Sequence, residues 1–175
     1  MQKILLIGSG GSGKSTLATQ LGAKLNLPVI HLDAHFWNAG WVETPKDEWR
    51  TKVEELCRRD RWIMDGNYSG TFDVRFAAAD TIIFLDVPRL ACLWRVIKRW
   101  LYYSLRNQTR PDLAEGCPEQ IDFGFVKWIW EYPSRTRPKT LEMLKRYEEE
   151  KRVVVLKGDR EVSEYMVELE SIISG

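Results

Sequence analysis

Long hydrophobic runs, paired cysteines and histidine clusters are all missing from this chain of 175 residues. No apolar stretch approaches the length of about 18 residues that a membrane-spanning helix needs. "KILLI" near the start is too short, with too little charge before it, to serve as a secretion signal. The three cysteines, Cys57, Cys92 and Cys117, are far apart and form no C-x-x-C pair. A disulfide framework and a zinc knuckle are therefore excluded, and reduced thiols in a cytoplasmic protein are expected. His31 and His35 stand four apart without a third ligand nearby, so His31 is expected to be structural. A formal net charge of +1 gives no global attraction to nucleic acid.

What is present suits an ordinary globular protein. Apolar residues make up 44% and charged residues 29%. The length suits a single domain over residues 1–175. Five short apolar runs read as strands: 3–7, 28–32, 61–65, 81–86 and 152–156. Most lack polar alternation, as strands do when both faces of a parallel sheet are covered. Helical stripes lie between them, at Leu17, Ala18, Leu21 and Leu25, and at Trp49, Val53, Leu56 and Cys57. Others fall at Leu90, Leu93, Trp94, Ile97 and Leu101, at Leu141, Leu144 and Tyr147, and near the C-terminus. Thr44 is expected to cap the second helix, with Pro45 at its first position. The expected fold is α/β, a five-stranded parallel sheet flanked by helices. Residues 34–60 read as an insertion on one side. The Pro- and Gly-broken stretch of about 100–136 reads as a mobile lid.

The strongest local signal is "GSGGSGKST", residues 8–16. Gly8, four residues, Gly13, Lys14 and Ser15 match the phosphate-binding loop of nucleoside triphosphatases. In such a loop the glycines let the backbone come close, and successive N–H groups hold phosphate oxygens at a helix N-terminus. Gly8, Ser9, Gly10, Gly11, Ser12, Gly13, Lys14, Ser15 and Thr16 are therefore the candidate ATP contacts. Lys14 would reach the terminal phosphates, and the Ser15 hydroxyl would face Mg²⁺. A carboxylate at a strand end should complete the metal site. Asp65 is the first candidate, Asp33 the second, and Asp86 suits the turn before the next helix. Asp33 is also a candidate base for an acceptor hydroxyl.

Between Arg89 and Arg110 the chain carries six basic residues and no acid. Arg95 and Arg99, then Arg135 and Arg137, are candidates to balance charge on a moving phosphoryl group. Eight tryptophans beside this basic stretch would also suit stacking on nucleic acid, although helical packing accounts for most of them. Gly158, after the last strand, would sit beside the base of the nucleotide.

The loop, "DGNYSGT" and "FLDVP" together resemble the nucleoside-monophosphate kinase group. Adenylate kinases carry "DGFPRT" and "FDVP" in the same order, then two arginines four apart, as Arg95 and Arg99 are here. The segments "HLDAHFW", "DGNYS", "CLWRVIKR", "TRPDLAEGCPE" and "FVKWIW" look more closely like the adenylate-kinase-related topology modulation proteins of the FlaR type. The resemblance implies a P-loop kinase-like fold, ATP and Mg²⁺ as cofactors, and phosphotransfer. It equally admits a non-catalytic ATP-binding regulator of DNA topology, as monomer or homodimer.

The chain departs from the adenylate kinase pattern on the acceptor side. Ser69 stands where "DGFPRT" has arginine, and no arginine occurs from Asp33 to Trp49. Phe36, Trp37, Trp41 and Trp49 occupy that stretch instead. Arg50 or Arg75 are the possible replacements. The candidate acceptor contacts are Asp33, Trp37, Trp41, Gly66, Asn67 and Tyr68, and the acceptor itself stays unidentified.

Overall fold

The structure, a computed structural model, describes residues 1–106, 112–118 and 120–174. Strand β1 (Lys3–Gly8) leads into helix α1 (Lys14–Leu25) through the glycine loop. Then come β2 (Val29–His31), α2 (Leu32–Phe36), the short strands β3 (Trp37–Asn38) and β4 (Val42–Glu43), and α3 (Lys46–Arg58). Next are β5 (Trp62–Asp65), a 3₁₀ turn (Ser69–Thr71), α4 (Phe72–Ala78), β6 (Thr81–Leu85) and α5 (Arg89–Arg106). The chain closes with α6 (Phe123–Arg135), α7 (Arg137–Tyr147), β7 (Arg152–Leu156) and α8 (Asp159–Ser174).

Five strands form one parallel sheet in the order β2-β5-β1-β6-β7, while β3 and β4 make a separate antiparallel hairpin. Alternate side chains of β1 feed two cores. Leu5 and Ile7 pack with Trp62, Met64 and Phe84 against Val53, Phe76 and Leu144. Ile4 and Leu6 pack with Ile63 and Ile83 against Leu17, Leu21 and Leu169. Both faces are covered by helices, which is why these strands lack polar alternation.

The parallel register gathers the functional ends. His31 lies opposite Asp65, Asp65 opposite Leu6, and Gly8 opposite Leu85. The glycine loop, the turn after β2 and the turn after β5 therefore share one edge, where open α/β sheets bind ligands.

Three local expectations need correction. Of the apolar stripe of α5 only Leu93 packs against the core; Leu90, Trp94, Ile97 and Leu101 are 46–67% exposed. The helix is held by Cys92 and Val96 instead. Thr44 does not cap α3, whose cap position is Pro45. Its hydroxyl donates to the Phe36 carbonyl at 2.5 Å, closing the hairpin base. The stretch of about 100–136, read as a lid, also contains a helix that its Pro and Gly breaks had hidden: α6, capped by Asp122, whose carboxylate accepts the Phe125 N–H. Arg110 lies outside the described residues.

Candidate functional site

The glycine loop packs so closely against its neighbours that side chains would collide with them. Gly11 has φ +75°, and a Cβ there would stand 2.3 Å from the Cys92 carbonyl oxygen. At Gly13, φ +99° starts α1 from a left-handed conformation without a side-chain cap. The N-terminus of α1 therefore keeps its N–H groups available for an anion. A Cβ on Gly10 would collide with the Phe125 ring, so α6 sits directly on the loop. The Ser12 hydroxyl is buried with no hydrogen-bond partner among the described residues. Close backbone, open N–H groups and an unsatisfied hydroxyl together fit a polyphosphate.

Lys14 lies over this loop, with Nζ donating to the Ser9 carbonyl at 2.9 Å. Burial pushes its ammonium pKa below the ordinary value, against the opposing pull of Asp65 and Asp33. Ser15 Oγ donates to Asp65 Oδ2 at 2.7 Å. The other oxygen of Asp65 meets His31 Nδ1 at 2.7 Å. Burial alone would lower the His31 pKa, but the hydrogen bond and charge of Asp65 outweigh it and raise the net value. A hydroxyl and a carboxylate side by side form the hard oxygen donor set that Mg²⁺ takes, with phosphate and water completing the shell. No cluster of three or more histidine, cysteine or carboxylate ligands occurs among the described residues. A Mg²⁺ bound through one carboxylate, one hydroxyl and phosphate does not require one.

Across the same cavity, of about 950 Å³, stands Asp33. The Tyr68 hydroxyl donates to Asp33 Oδ1 at 2.6 Å. Burial first, then the adjacent Asp33 charge, pushes the Tyr68 pKa far up, so the phenol keeps its proton and remains a donor. Trp37 and Trp41 line this end, their ring centroids 5.3 Å apart and nearly perpendicular. Gly66 and Asn67 line it too, and both polar atoms of the buried Asn67 amide lack partners among the described residues.

The cavity thus gathers Gly10, Gly11, Gly13, Lys14, Ser15, Thr16, Asp33, Trp37, Trp41, Asp65, Gly66, Asn67, Tyr68 and Arg99 from the sequence candidates. Other candidates lie elsewhere. Arg95 braces the loop from below, donating to the Ser12 carbonyl at 3.0 Å while pairing with Asp159. Arg137 is held by Asp86 through two 2.7 Å hydrogen bonds. Arg135 pairs with Glu131 and borders a second cavity of about 680 Å³ beside Phe72 and Lys139. Gly158 does not line the large cavity. Neither possible replacement arginine lines the large cavity. Arg50 is paired with Asp73 and Glu54 on the surface. Arg75 is fully buried, and its donors go to Gly66 O, Tyr68 O and Thr71 Oγ1.

Several lining residues escaped the sequence reading: His31, Glu43, Asp112, Asp122 and Phe125. His31 could have been found from its place one residue before the end of an apolar run. Phe125 carried no signal, because "FVKWIW" reads equally well as packing.

No protein-family model matches the chain, and no curated protein does. Solved structures do match. A shikimate kinase from Acinetobacter baumannii in complex with shikimate superposes with a TM-score of 0.61 at 16% identity, over 99% of this chain and 93% of that one. The chain has the P-loop kinase fold. A shikimate kinase from Bacteroides thetaiotaomicron gives 0.54 at 17% identity, covering 98% of each chain. A deoxyadenosine kinase from M. mycoides, with products dCMP and a flexible dCDP bound, gives 0.52 at 14% identity, over 97% and 98%. Among the described residues no helix is long and apolar enough to cross a membrane.

Proposed function

We propose that this chain is an ATP-dependent phosphotransferase acting on a small hydroxyl-bearing acceptor. One observation carries the reading: Lys14, the Ser15–Asp65 pair and the Asp33–Tyr68 pair face a single cavity. Donor grip and candidate base thus lie within reach of one reacting pair.

The loop amides and Lys14 hold the β- and γ-phosphates. Ser15 and Asp65 would hold Mg²⁺, which when bound neutralises charge on those oxygens. The acceptor hydroxyl docks at Asp33, which Tyr68 keeps oriented. Its oxygen attacks the γ-phosphorus, its proton passes to Asp33, and the bond from phosphorus to the bridging oxygen breaks to release ADP. Arg99 supports the charge on the moving phosphoryl group, and Arg95 holds the loop in register. Residues 34–60 serve as the acceptor side, and about 100–136 as the cover, of one domain spanning residues 1–175.

The neighbours named above include kinases of a deoxynucleoside and of a hydroxy acid, which supports small-molecule phosphotransfer. The likeness to FlaR-type proteins supports a relative of the adenylate kinases. An effect on DNA topology has no supporting feature in the site. The test is ADP release with a panel of alcohols, nucleosides and nucleotides. Acceptor-dependent release that Lys14→Ala abolishes is expected, whereas wild-type ATP affinity in that variant would overturn the assignment.

A further inference from the structure

We infer that the acceptor is an organic cation carrying a hydroxyl group, an amino alcohol in chemical class. This rests on the phosphotransfer reading above and adds the identity of the acceptor's other end.

Beside the cations Lys14 and Arg99, the described cavity lining carries several carboxylates. Asp33, Glu43, Asp65, Asp112 and Asp122 all belong to it, Asp33 holding the Tyr68 hydroxyl and Asp122 the Phe125 N–H. A phosphate or carboxylate on the acceptor would face like charge at several points, and Arg50 and Arg75 are committed elsewhere. A cation is attracted by the same groups.

The aromatic walls supply the second, independent half. Trp37 and Trp41 stand nearly perpendicular, 71° between planes, and so offer two sides of a box. Strands β3 and β4 place Glu43 directly opposite Trp37. Residues opposite each other in an antiparallel pair project from the same face. Glu43 therefore adds a carboxylate to the box, with no partner for it among the described residues. Trp37 and Trp41 meet edge to face, and cavity-lining indoles beside a carboxylate are the recognition chemistry of an ammonium group. Asn67, with its buried amide unpartnered, stands beside Tyr68 to hydrogen-bond the hydroxyl end. The ammonium would then sit at the hairpin and the hydroxyl at Asp33, turned toward the γ-phosphate.

The test compares ethanolamine and choline with ethylene glycol and dimethylbutanol, the uncharged carbon isostere of choline, and with glycerate and AMP. ATP turnover is followed as ADP release. The amines should exceed their uncharged counterparts by about ten-fold or more in kcat/KM, the range a desolvated cation on tryptophan supports. Glu43→Gln should shrink that ratio, and Glu43→Asp should restore part of it. A neutral or anionic compound turned over better than both amines would overturn the inference and leave phosphotransfer standing. Tetramethylammonium, which has no hydroxyl, separates the two ideas. Saturable quenching of tryptophan fluorescence, weakened in Trp41→Ala and in Glu43→Gln, supports the box; if no acceptor then raises ADP release, phosphotransfer and with it the acceptor fall, while the cation site stands. Absence of quenching in the wild-type protein overturns the box.

Discussion

Ser15 and Asp65 sit fifty positions apart in the chain, yet the serine hydroxyl donates to the carboxylate at 2.7 Å. Strands β1 and β5 are neighbours in the sheet, and their ends bring the two side chains together. Asp65 is only 3% exposed, so removing its charge changes the site rather than the surface. Asp65→Asn should weaken Mg²⁺ binding by about 10–100-fold, the size seen when a group orienting a metal site is lost. Titration with Mn²⁺ in the presence of ATP, read by water-proton relaxation, measures it directly. Unchanged metal affinity would remove Asp65 from the site.

Asp33 separates binding from chemistry. Asp33→Asn should lower kcat by about 10²–10⁴, the contribution of a positioned base, while ATP still binds. Tyr68→Phe should cost less, because it removes one hydrogen bond to the carboxylate and leaves the carboxylate in place. Equal loss in both variants would mean that Tyr68, and not Asp33, touches the acceptor.

Arg75 predicts a stability effect. Its buried guanidinium serves the carbonyls of Gly66 and Tyr68 and stands 4.9 Å from the centre of the Phe72 ring. Burial pushes its pKa down to about 10. Arg75→Leu strands the Gly66 carbonyl, while the Tyr68 carbonyl keeps the Thr71 N–H and hydroxyl, so a loss of about 1–3 kcal/mol is expected. Urea unfolding checks this, and a change within error would show that water replaces the side chain.

The two histidines should move stability with pH in opposite directions. The His31 pKa is raised above 6.5, so its contribution is complete below that value and is lost as pH climbs through the raised folded value. His35 is lowered, by burial first and then by Lys52 and Arg59. Its contribution is complete above 6.5 and is lost as pH falls through the lowered folded value. His35→Gln should therefore raise the urea midpoint at about pH 5 relative to that at about pH 7.5, compared with wild type. The reverse sign would contradict the burial argument.

The sheet and the glycine loop between β1 and α1 were legible because their signals are local. A buried parallel strand shows as an apolar run, and Gly-x-x-x-x-Gly-Lys-Ser encodes a loop within eight residues. The place of Asp65 at the end of a strand was legible from the apolar run before it. Charge pairing was not. Nothing near Arg137 announces Asp86, 51 positions away, and nothing near Arg95 announces Asp159, 64 positions away. Both arginines looked available for phosphate until the fold closed those distances. The α5 stripe misled for a related reason: periodicity identifies an apolar face, but which face meets the sheet is decided by neighbours. Here the small residues Cys92 and Val96, under Gly11, are the ones that fit.

The position of β1 at the centre of the sheet bears on how the chain assembles. Strand β1 pairs with β5 and β6, beginning at residues 62 and 81, and not with the strand that follows it in the chain. Strand β2, at the sheet edge, must also wait for β5. Residues 9–61 are thus synthesised before β1 has a partner, and the glycine loop has no fixed frame during that interval. Such non-local pairing slows folding and leaves apolar strands exposed meanwhile. The apolar segment "KILLI" is the one that waits longest.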